Sequence, residues 1–340
     1  MSSMLALLCV GWFSFAAAWS VHKPAPYALE DADRHFERFI QEFDRNYSDE
    51  HEKQFRFQIF KANLEIINSM NAKSKHAVYG TTQFSDLSHE EFEARTKCLR
   101  KSDSLRNDTN CTFLYDKDID YNDAPESWDW REHDAVTPVK DQGPLCGSCY
   151  AFSAIGTLEG QYAIKHKELV NLSEQQIVDC DKTDGGCNGG YMNVALRSLI
   201  EQGGSMAEAD YPYIAEEDKC HFNANKVKAH LTDCRSYNLT SQEKLKQLLY
   251  HNGPIAIGIN ADKIRDYKHG IIDDDMCDDN DIDHGVLLVG YGSENDVPFW
   301  IAKNSWATSW GDNGYFRMHR GEEFHSCHML NKYMASAIVA

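Results

Sequence analysis

The hydrophobic period changes near the middle of this chain, and that change limits the fold more than any other feature. Residues 148–166, SCYAFSAIGTLEGQYAIKH, place Ala151, Ile155, Leu158 and Tyr162 at helical spacing without a proline, which predicts one long helix. LSEQQIVDC follows, with Ser173 as N-cap and Gln176 three residues on, a capping-box pattern. NVALRSLIEQGG, from Asn193, predicts a third helix stopped by glycines. Beyond it, GPIAIGINA, GVLLVGYG, VPFWIAKNSW and GYFRMHR are short β-rich runs divided by Gly, Asn or Pro. Helices first and strands later predict an α+β protein of two lobes, with a cleft between them as the place for a site.

The N-terminal stretch Met4 to Trp19 is apolar or small, too short for a comfortable membrane span, and ends near Ala16-Ala17-Ala18. It reads as a secretory signal peptide over 1–18, and no other segment is long and apolar enough for stable membrane insertion. Export permits disulfides. Of eleven cysteines, Cys9 leaves with the leader and Cys98 and Cys111 precede a processing point, which leaves eight: Cys146, Cys149, Cys180, Cys187, Cys220, Cys234, Cys277 and Cys327. Sequons at Asn46, Asn107, Asn110, Asn171 and Asn238 suit the same route. The formal charge of −19 excludes nucleic acid as the partner, because phosphate binding needs a basic face.

Residues 30–75 are charged and helix-favouring. Glu52, Arg56, Phe60, Asn63, Ile67 and Asn71 share one helix face, within an arc of about 100°. Glu52 and Arg56 form an i,i+4 pair of opposite charge. This E-x3-R-x3-F-x2-N-x3-I-x3-N spacing resembles the propeptide signature of cathepsin L-type cysteine proteases. YGTTQFSDLS resembles the second propeptide motif in Gly80, Phe84 and Asp86, with Thr82 where the family has Asn. From Lys97 to Asp123 the composition is that of a linker, which places the mature N-terminus near Asp123 to Glu126. Cys98 and Cys111 are expected to bridge each other across it.

QGPLCGSCYAF, Gln142 to Phe152, sets two cysteines three positions apart. A zinc site would need a second pair of ligands, and no second C-x2-C exists. A redox dithiol would need a βαβ context that is missing. The remaining reading is a bridged Cys146 beside a free Cys149 at a helix N-terminus, whose partial positive charge favours a thiolate. A nucleophilic thiol needs a base and a group to orient that base. His284, before one predicted strand, and Asn304, after the next, supply both.

C-G-S-C-Y, followed in order by His284 and Asn304, resembles the papain family of cysteine proteases from about residue 125 to the end. The resemblance implies a papain-like fold, a helical lobe plus an antiparallel β-barrel lobe, with a helical propeptide. The parts would be a signal peptide over 1–18, an inhibitory propeptide over 19–123 and a catalytic domain over 124–340. It implies a thiol endopeptidase made as a zymogen. Cys149 would be the nucleophile, His284 its proton partner and Asn304 the orienting group. Gln142 and the Cys149 backbone N–H would form the oxyanion hole, and Trp306 would shield the His284–Asn304 bond. The resting site would be a thiolate–imidazolium pair. Disulfides would join Cys146 to Cys187, Cys180 to Cys220 and Cys277 to Cys327, leaving Cys149 free and Cys234 as an odd buried thiol.

GGCNGGYM, Gly185 to Met192, resembles the family's substrate ledge, with main-chain contacts from Gly189 and Gly190. The pocket for the second substrate residue would be lined by Tyr191, Met192, Gly258 and Ile282 with Lys332 at its floor. That predicts a preference for Leu, Val or Phe there and a bias against Arg. The family resemblance also implies that the propeptide after Asp86 crosses the cleft backwards, and that acid loosens contacts made by carboxylates such as Asp86. No cofactor or metal is implied. The partners would be protein or peptide substrates and the chain's own propeptide, acting on a monomer in a lysosome or outside the cell.

The sequence departs from the family pattern at an inserted residue in Q-G-P-L-C, which puts the reach of Gln142 in question. Tyr150, Ala307 and His328 also replace commoner residues. DDDMCDDNDID, Asp273 to Asp283, lacks the glycine of a calcium loop and reads as a solvated acidic loop that would slightly raise the imidazolium pKa.

Overall fold

The computed structural model describes residues 22–96, 98–99, 111–277 and 282–340. The expected signal peptide, the sequons at Asn107 and Asn110 and residues 278–281 of the acidic run lie outside the described residues.

Seven α-helices are described: α1 Ala32–Glu42, α2 Glu50–Lys73, α3 His89–Thr96, α4 Cys149–His166, α5 Glu174–Cys180, α6 Met192–Gln202 and α7 Gln242–Asn252. The strands are β1 Ala77–Tyr79, β2 Thr112–Tyr115, β3 Trp128–Asp129, β4 Ser205–Met206, β5 Val227–Ala229, β6 Leu231–Asn238, β7 Ile255–Ile259, β8 Tyr267–Ile272, β9 His284–Glu294, β10 Val297–Lys303, β11 Tyr315–His319 and β12 Ala335–Val339. None of the described helices is long and apolar enough to cross a membrane.

The three helices expected in the first half of the catalytic region form where their patterns place them. Ser173 caps α5 by accepting the Gln176 N–H. The Gln176 side chain does not close a capping box; it donates to the Gly204 carbonyl and accepts from the Met206 N–H. Gly203, at φ +95°, ends α6 in the left-handed region that a glycine takes without a Cβ penalty. Helix α4 is buried around almost its whole circumference from Cys149 to Gly160, so it is the central element rather than a surface helix.

The β lobe differs from the expected closed antiparallel barrel. Ten strands form one open mixed sheet in the order β1-β8-β11-β10-β9-β7-β12-β6-β2, with β3 added on β9. The β8–β11 and β2–β6 pairs are parallel. Both ends of this path are strands that precede residue 124, in the region expected to be the propeptide. An exposed sheet edge is an open template for pairing, and here β1 and β2 cover the two edges of the catalytic sheet.

The propeptide stripe does what its spacing predicts. Phe60 and Ile67 are fully buried, and Asn63 donates to the carbonyls of Ser85 and Leu87. Asn71 clamps Tyr79 through both its backbone groups, which fixes β1 beside α2. The Glu52–Arg56 pair does not form. Glu52 instead accepts the Ser48 N–H at the helix start, and Arg56 pairs with Glu91 at 2.6 Å. A carboxylate gains more at a helix N-terminus with free N–H groups than from an exposed ion pair. Thr82 takes the place of the family's Asn without losing its anchor: its hydroxyl donates to the Arg265 carbonyl at 3.1 Å.

Candidate active site

Helix α4 delivers Cys149 from one side of the cleft, and β9 and β10 deliver the other residues from the opposite side. Gly156 permits that approach, because a Cβ there would lie 2.8 Å from the Leu287 side chain on β9. The Gly285 N–H consequently reaches the Cys149 sulfur at 3.0 Å.

His284 opens β9 and Asn304 directly follows β10. The antiparallel pairing of these strands carries the two side chains together, with His284 Nε2 2.9 Å from Asn304 Oδ1. The Asn oxygen accepts, so the Nε2 proton is held there and Nδ1 faces the sulfurs. Trp306 stacks on the His284 ring at 4.8 Å and is itself 2% exposed, so it covers the histidine–asparagine bond. Burial lowers the His284 pKa to about 4, against a smaller raising effect from Asn304. With the cleft covered, burial thus favours the neutral ring; the expected imidazolium belongs to the site once it is opened to water.

Gln142 is 1% exposed and firmly held despite the insertion. Its N–H donates to the Ser305 carbonyl at 2.9 Å, its side-chain oxygen accepts from the Ser305 hydroxyl at 2.7 Å, and its amide nitrogen donates to the Cys146 carbonyl at 3.2 Å. The extra length bulges outward, where Leu145 is 81% exposed.

The propeptide occupies the cleft. The N–H groups of Cys98 and Leu99 both donate to the Asp283 carbonyl, at 2.9 and 3.0 Å, and the Gly190 N–H donates to the Cys98 carbonyl at 2.8 Å. Leu99 pairs with Gly190 in the parallel sense. A Cβ on Gly189, which has φ +92°, would collide with the Cys98 carbonyl, so the glycine ledge is needed for this approach. Leu99 packs in one buried cluster with Tyr191, Met192, Ile282 and Tyr333. A Cβ on Gly258 would meet Ile282, Tyr333 and Leu99 at 2.8 to 3.1 Å, so Gly258 also borders this pocket. Lys332 is half-buried, its ammonium 5.5 Å from the centroid of the Tyr333 ring. Tyr333, one position beyond the Lys332 expected at the pocket floor, is the lining residue the sequence reading left out. Phe84 and Phe92 pack edge-on against Trp306, which extends the seal over His284.

Two cysteine expectations are overturned. Cys98 and Cys111 do not bridge each other: Cys98 is paired with Cys149, and Cys111 with Cys234. Cys149 is thus not free in this form, and Cys234 is not an odd thiol. The other three pairs are those expected, Cys146–Cys187, Cys180–Cys220 and Cys277–Cys327. The acidic run is not simply solvated either. Asp273 and Asp283 are both 2% exposed: the first binds the backbone of propeptide residues 75 and 76, and the second holds Cys98, Leu99 and the Ala261 N–H.

Behind α4 lies a buried charge group. Lys140 contacts Glu159 at 2.9 Å and Glu174 at 2.6 Å. Burial raises Glu174 to about 7 despite the attraction of Lys140, and these two carboxylates outweigh burial to hold Lys140 above its ordinary range. Lys303, which donates to Thr137 at 2.9 Å, is lowered by burial to about 8.

Residues 124–337 match the model of the papain family cysteine proteases, and residues 36–92 match the cathepsin propeptide inhibitor domain. A viral cathepsin of Bombyx mori nuclear polyhedrosis virus is 44% identical over 322 residues, covering 94% of this chain and 97% of that protein. The viral cathepsin of Spodoptera litura multicapsid nucleopolyhedrovirus is 43% identical over 320 residues, covering 92% and 93%. The structure of digestive procathepsin L2 proteinase from Tenebrio molitor larval midgut superposes with a TM-score of 0.83 at 33% identity, over 90% of this chain and 99% of that one.

Proposed function

Since the chain belongs to the papain family of cysteine proteases and is made as a zymogen with the cathepsin-type inhibitor domain, we propose that Cys149 is its nucleophile, with His284, Asn304 and Gln142 completing the site. The observation that carries this reading is the 2.9 Å His284–Asn304 bond at the mouth of the helix that begins with Cys149. Once the propeptide leaves, water reaches His284 and the thiol can give its proton to Nδ1. The thiolate attacks the peptide carbonyl, the Gln142 amide and the Cys149 N–H receive the developing oxyanion, and His284 protonates the leaving amine. Water then hydrolyses the acyl-enzyme with His284 as base.

Residues 19–123 are the propeptide and 124–340 the enzyme in this reading. The pocket filled by Leu99 takes the second residue before the cut and favours Leu, Val or Phe. The enzyme works as a monomer on protein or peptide substrates. Cathepsin-like proteases with five disulfides are typically secretory-pathway proteins, and a lysosomal or extracellular site of action follows from that route. The test is alkylation of the reduced, processed enzyme at mildly acidic pH with a labelled iodoacetamide. Label on Cys149 with parallel loss of peptide hydrolysis is expected. A processed enzyme that hydrolyses peptides with Cys149 fully alkylated sinks the assignment.

A further inference from the structure

The propeptide thiol nearest the nucleophile is not a bystander. Cys98 is 1% exposed and Cys149 is fully buried, and their Cα atoms stand 6.1 Å apart, inside the range disulfides span. Cys98 cannot easily turn away. Its backbone is clamped on one side by the Asp283 carbonyl and on the other by the Gly190 N–H, and the next residue is seated in the apolar pocket. His284 Nδ1 lies 3.9 Å from the Cys98 sulfur, so the histidine faces the paired sulfurs rather than a free thiol.

We propose that this zymogen is closed by a redox latch, in which a Cys98–Cys149 disulfide blocks the nucleophile until a thiol or phosphine reductant opens it. The inference rests on the reading of Cys149 as nucleophile. Closing the latch removes two protons and two electrons from the two thiols. Both electrons pass by thiol–disulfide exchange to a disulfide oxidant, a small disulfide or a protein one, which becomes two thiols. Opening runs the other way. An attacking thiolate bonds to the Cys98 sulfur, the Cys98–Cys149 bond breaks, and Cys149 leaves as the thiolate. A second thiol frees Cys98 and carries the electrons away as a new disulfide. Cys149 is the better leaving group because it sits at the N-terminus of α4, and a stabilised leaving thiolate speeds exchange. Access is the brake, because the docked propeptide buries both sulfurs.

The second propeptide bridge makes cutting alone insufficient. Cys111 is tied to Cys234 of the catalytic sheet, so a cut anywhere in residues 100–110 leaves one flank held on Cys149 and the other on Cys234. A cut before Cys98 frees the helices but leaves a peptide on the nucleophile. Release of activity therefore needs both proteolysis and reduction.

The experiment uses the full zymogen, purified without reductant and treated with N-ethylmaleimide. Peptide mapping should show the Cys98 and Cys149 peptides joined, which requires no variant. The wild type, Cys98→Ser and Cys98→Ala zymogens are then nicked by limited acid proteolysis and assayed on a fluorogenic peptide with and without a phosphine reductant. The wild type should be silent until reduced, while both variants should be active without reductant. Cys98 and Cys149 both recovered with maleimide, or a nicked wild type as active unreduced as its variants, overturns the latch. Silence of all three proteins after nicking and reduction refutes the nucleophile assignment instead.

Discussion

Replacing Asp273 by Asn tests how the propeptide senses acid. Asp273 directly follows β8, and its carboxylate accepts the Lys75 N–H at 2.6 Å, the Ser74 hydroxyl at 2.9 Å and the His76 N–H at 3.2 Å, with His76 Nδ1 at 2.5 Å on the other oxygen. One side chain thus pins the end of α2 and the start of β1 to the catalytic sheet. Burial opposes ionisation of Asp273. The Lys75 N–H, the His76 ring, the Ser74 hydroxyl and the His76 N–H together outweigh it and hold the pKa below the ordinary carboxylate value. A depressed pKa stabilises the docked state fully above the ordinary value, about 3.9, and that stabilisation is lost as pH falls through the depressed one. His319, its ring tilted against His76 at 5.2 Å, is held below its usual range by burial.

Hydrogen bonds to a charged group are worth ~1.5–3 kcal/mol each when a partner is lost. Asn keeps one accepting oxygen but loses the charge and turns an amide N–H₂ toward donors. A weakening of about 2–3 kcal/mol is expected, or propeptide docking looser by roughly 30- to 150-fold. The assay is peptide hydrolysis by reduced, nicked zymogen along a pH series. Asp273→Asn should release activity at higher pH than the wild type and with a shallower pH dependence. Coincident pH profiles for the two proteins would refute the role of this carboxylate.

Lys140→Ala leaves Glu159 and Glu174 buried without their cation and should destabilise the protein by ~3–5 kcal/mol; an unchanged urea midpoint would contradict the ion-pair reading. Leu99→Ala should loosen the propeptide by ~2–4 kcal/mol through lost burial in its pocket, whereas Leu99→Phe should retain inhibition; equal inhibition by both variants at limiting propeptide contact would argue against that pocket. In substrates, Arg at the second position before the cut should be cleaved more poorly than Leu, read as a ratio of kcat/KM. Gln142→Ala should lower kcat by about 10²- to 10³-fold with little change in KM; wild-type kcat would remove Gln142 from the oxyanion hole.

Long periodic elements were legible in the sequence because their burial is one-sided or total. The runs that became α4, β7, β9 and β10 are apolar enough to announce themselves. Strands β6, β8 and β12 were missed. LTDCRSYN mixes charge with apolar positions, YKHGII breaks its run with Lys, His and Gly, and ASAIV is small and terminal. The β-rich periodicity also carried no information on strand order. That is why an antiparallel barrel was expected where an open mixed sheet forms. At the candidate site, Cys149, His284 and Asn304 were legible because each has a fixed local context. Asp273 was not. A run of acids looks solvated until the fold supplies buried N–H donors from residues 198 positions away.

The cysteines show where that kind of reading ends. Ten cysteines follow Cys9, and the five described bridges use every one of them. Dividing the chain at a processing point before pairing them takes Cys98 and Cys111 out of the count and makes Cys149 and Cys234 appear spare. In the full-length chain both parts are folded together, however. Strand β2 then lies in parallel register along β6, with Thr112 opposite Arg235, and this brings Cys111 to its partner one residue away. Cys98 reaches Cys149 because Leu99 needs an apolar pocket and the ledge supplies one. Pairing is decided by neighbours in the folded precursor, so the precursor is the unit whose thiols must be counted. Its sheet has both edges covered, and its proposed nucleophile is covered too. Removing the propeptide after both bridges are reduced uncovers all three, which makes activation a change of fold boundary as well as the opening of a site.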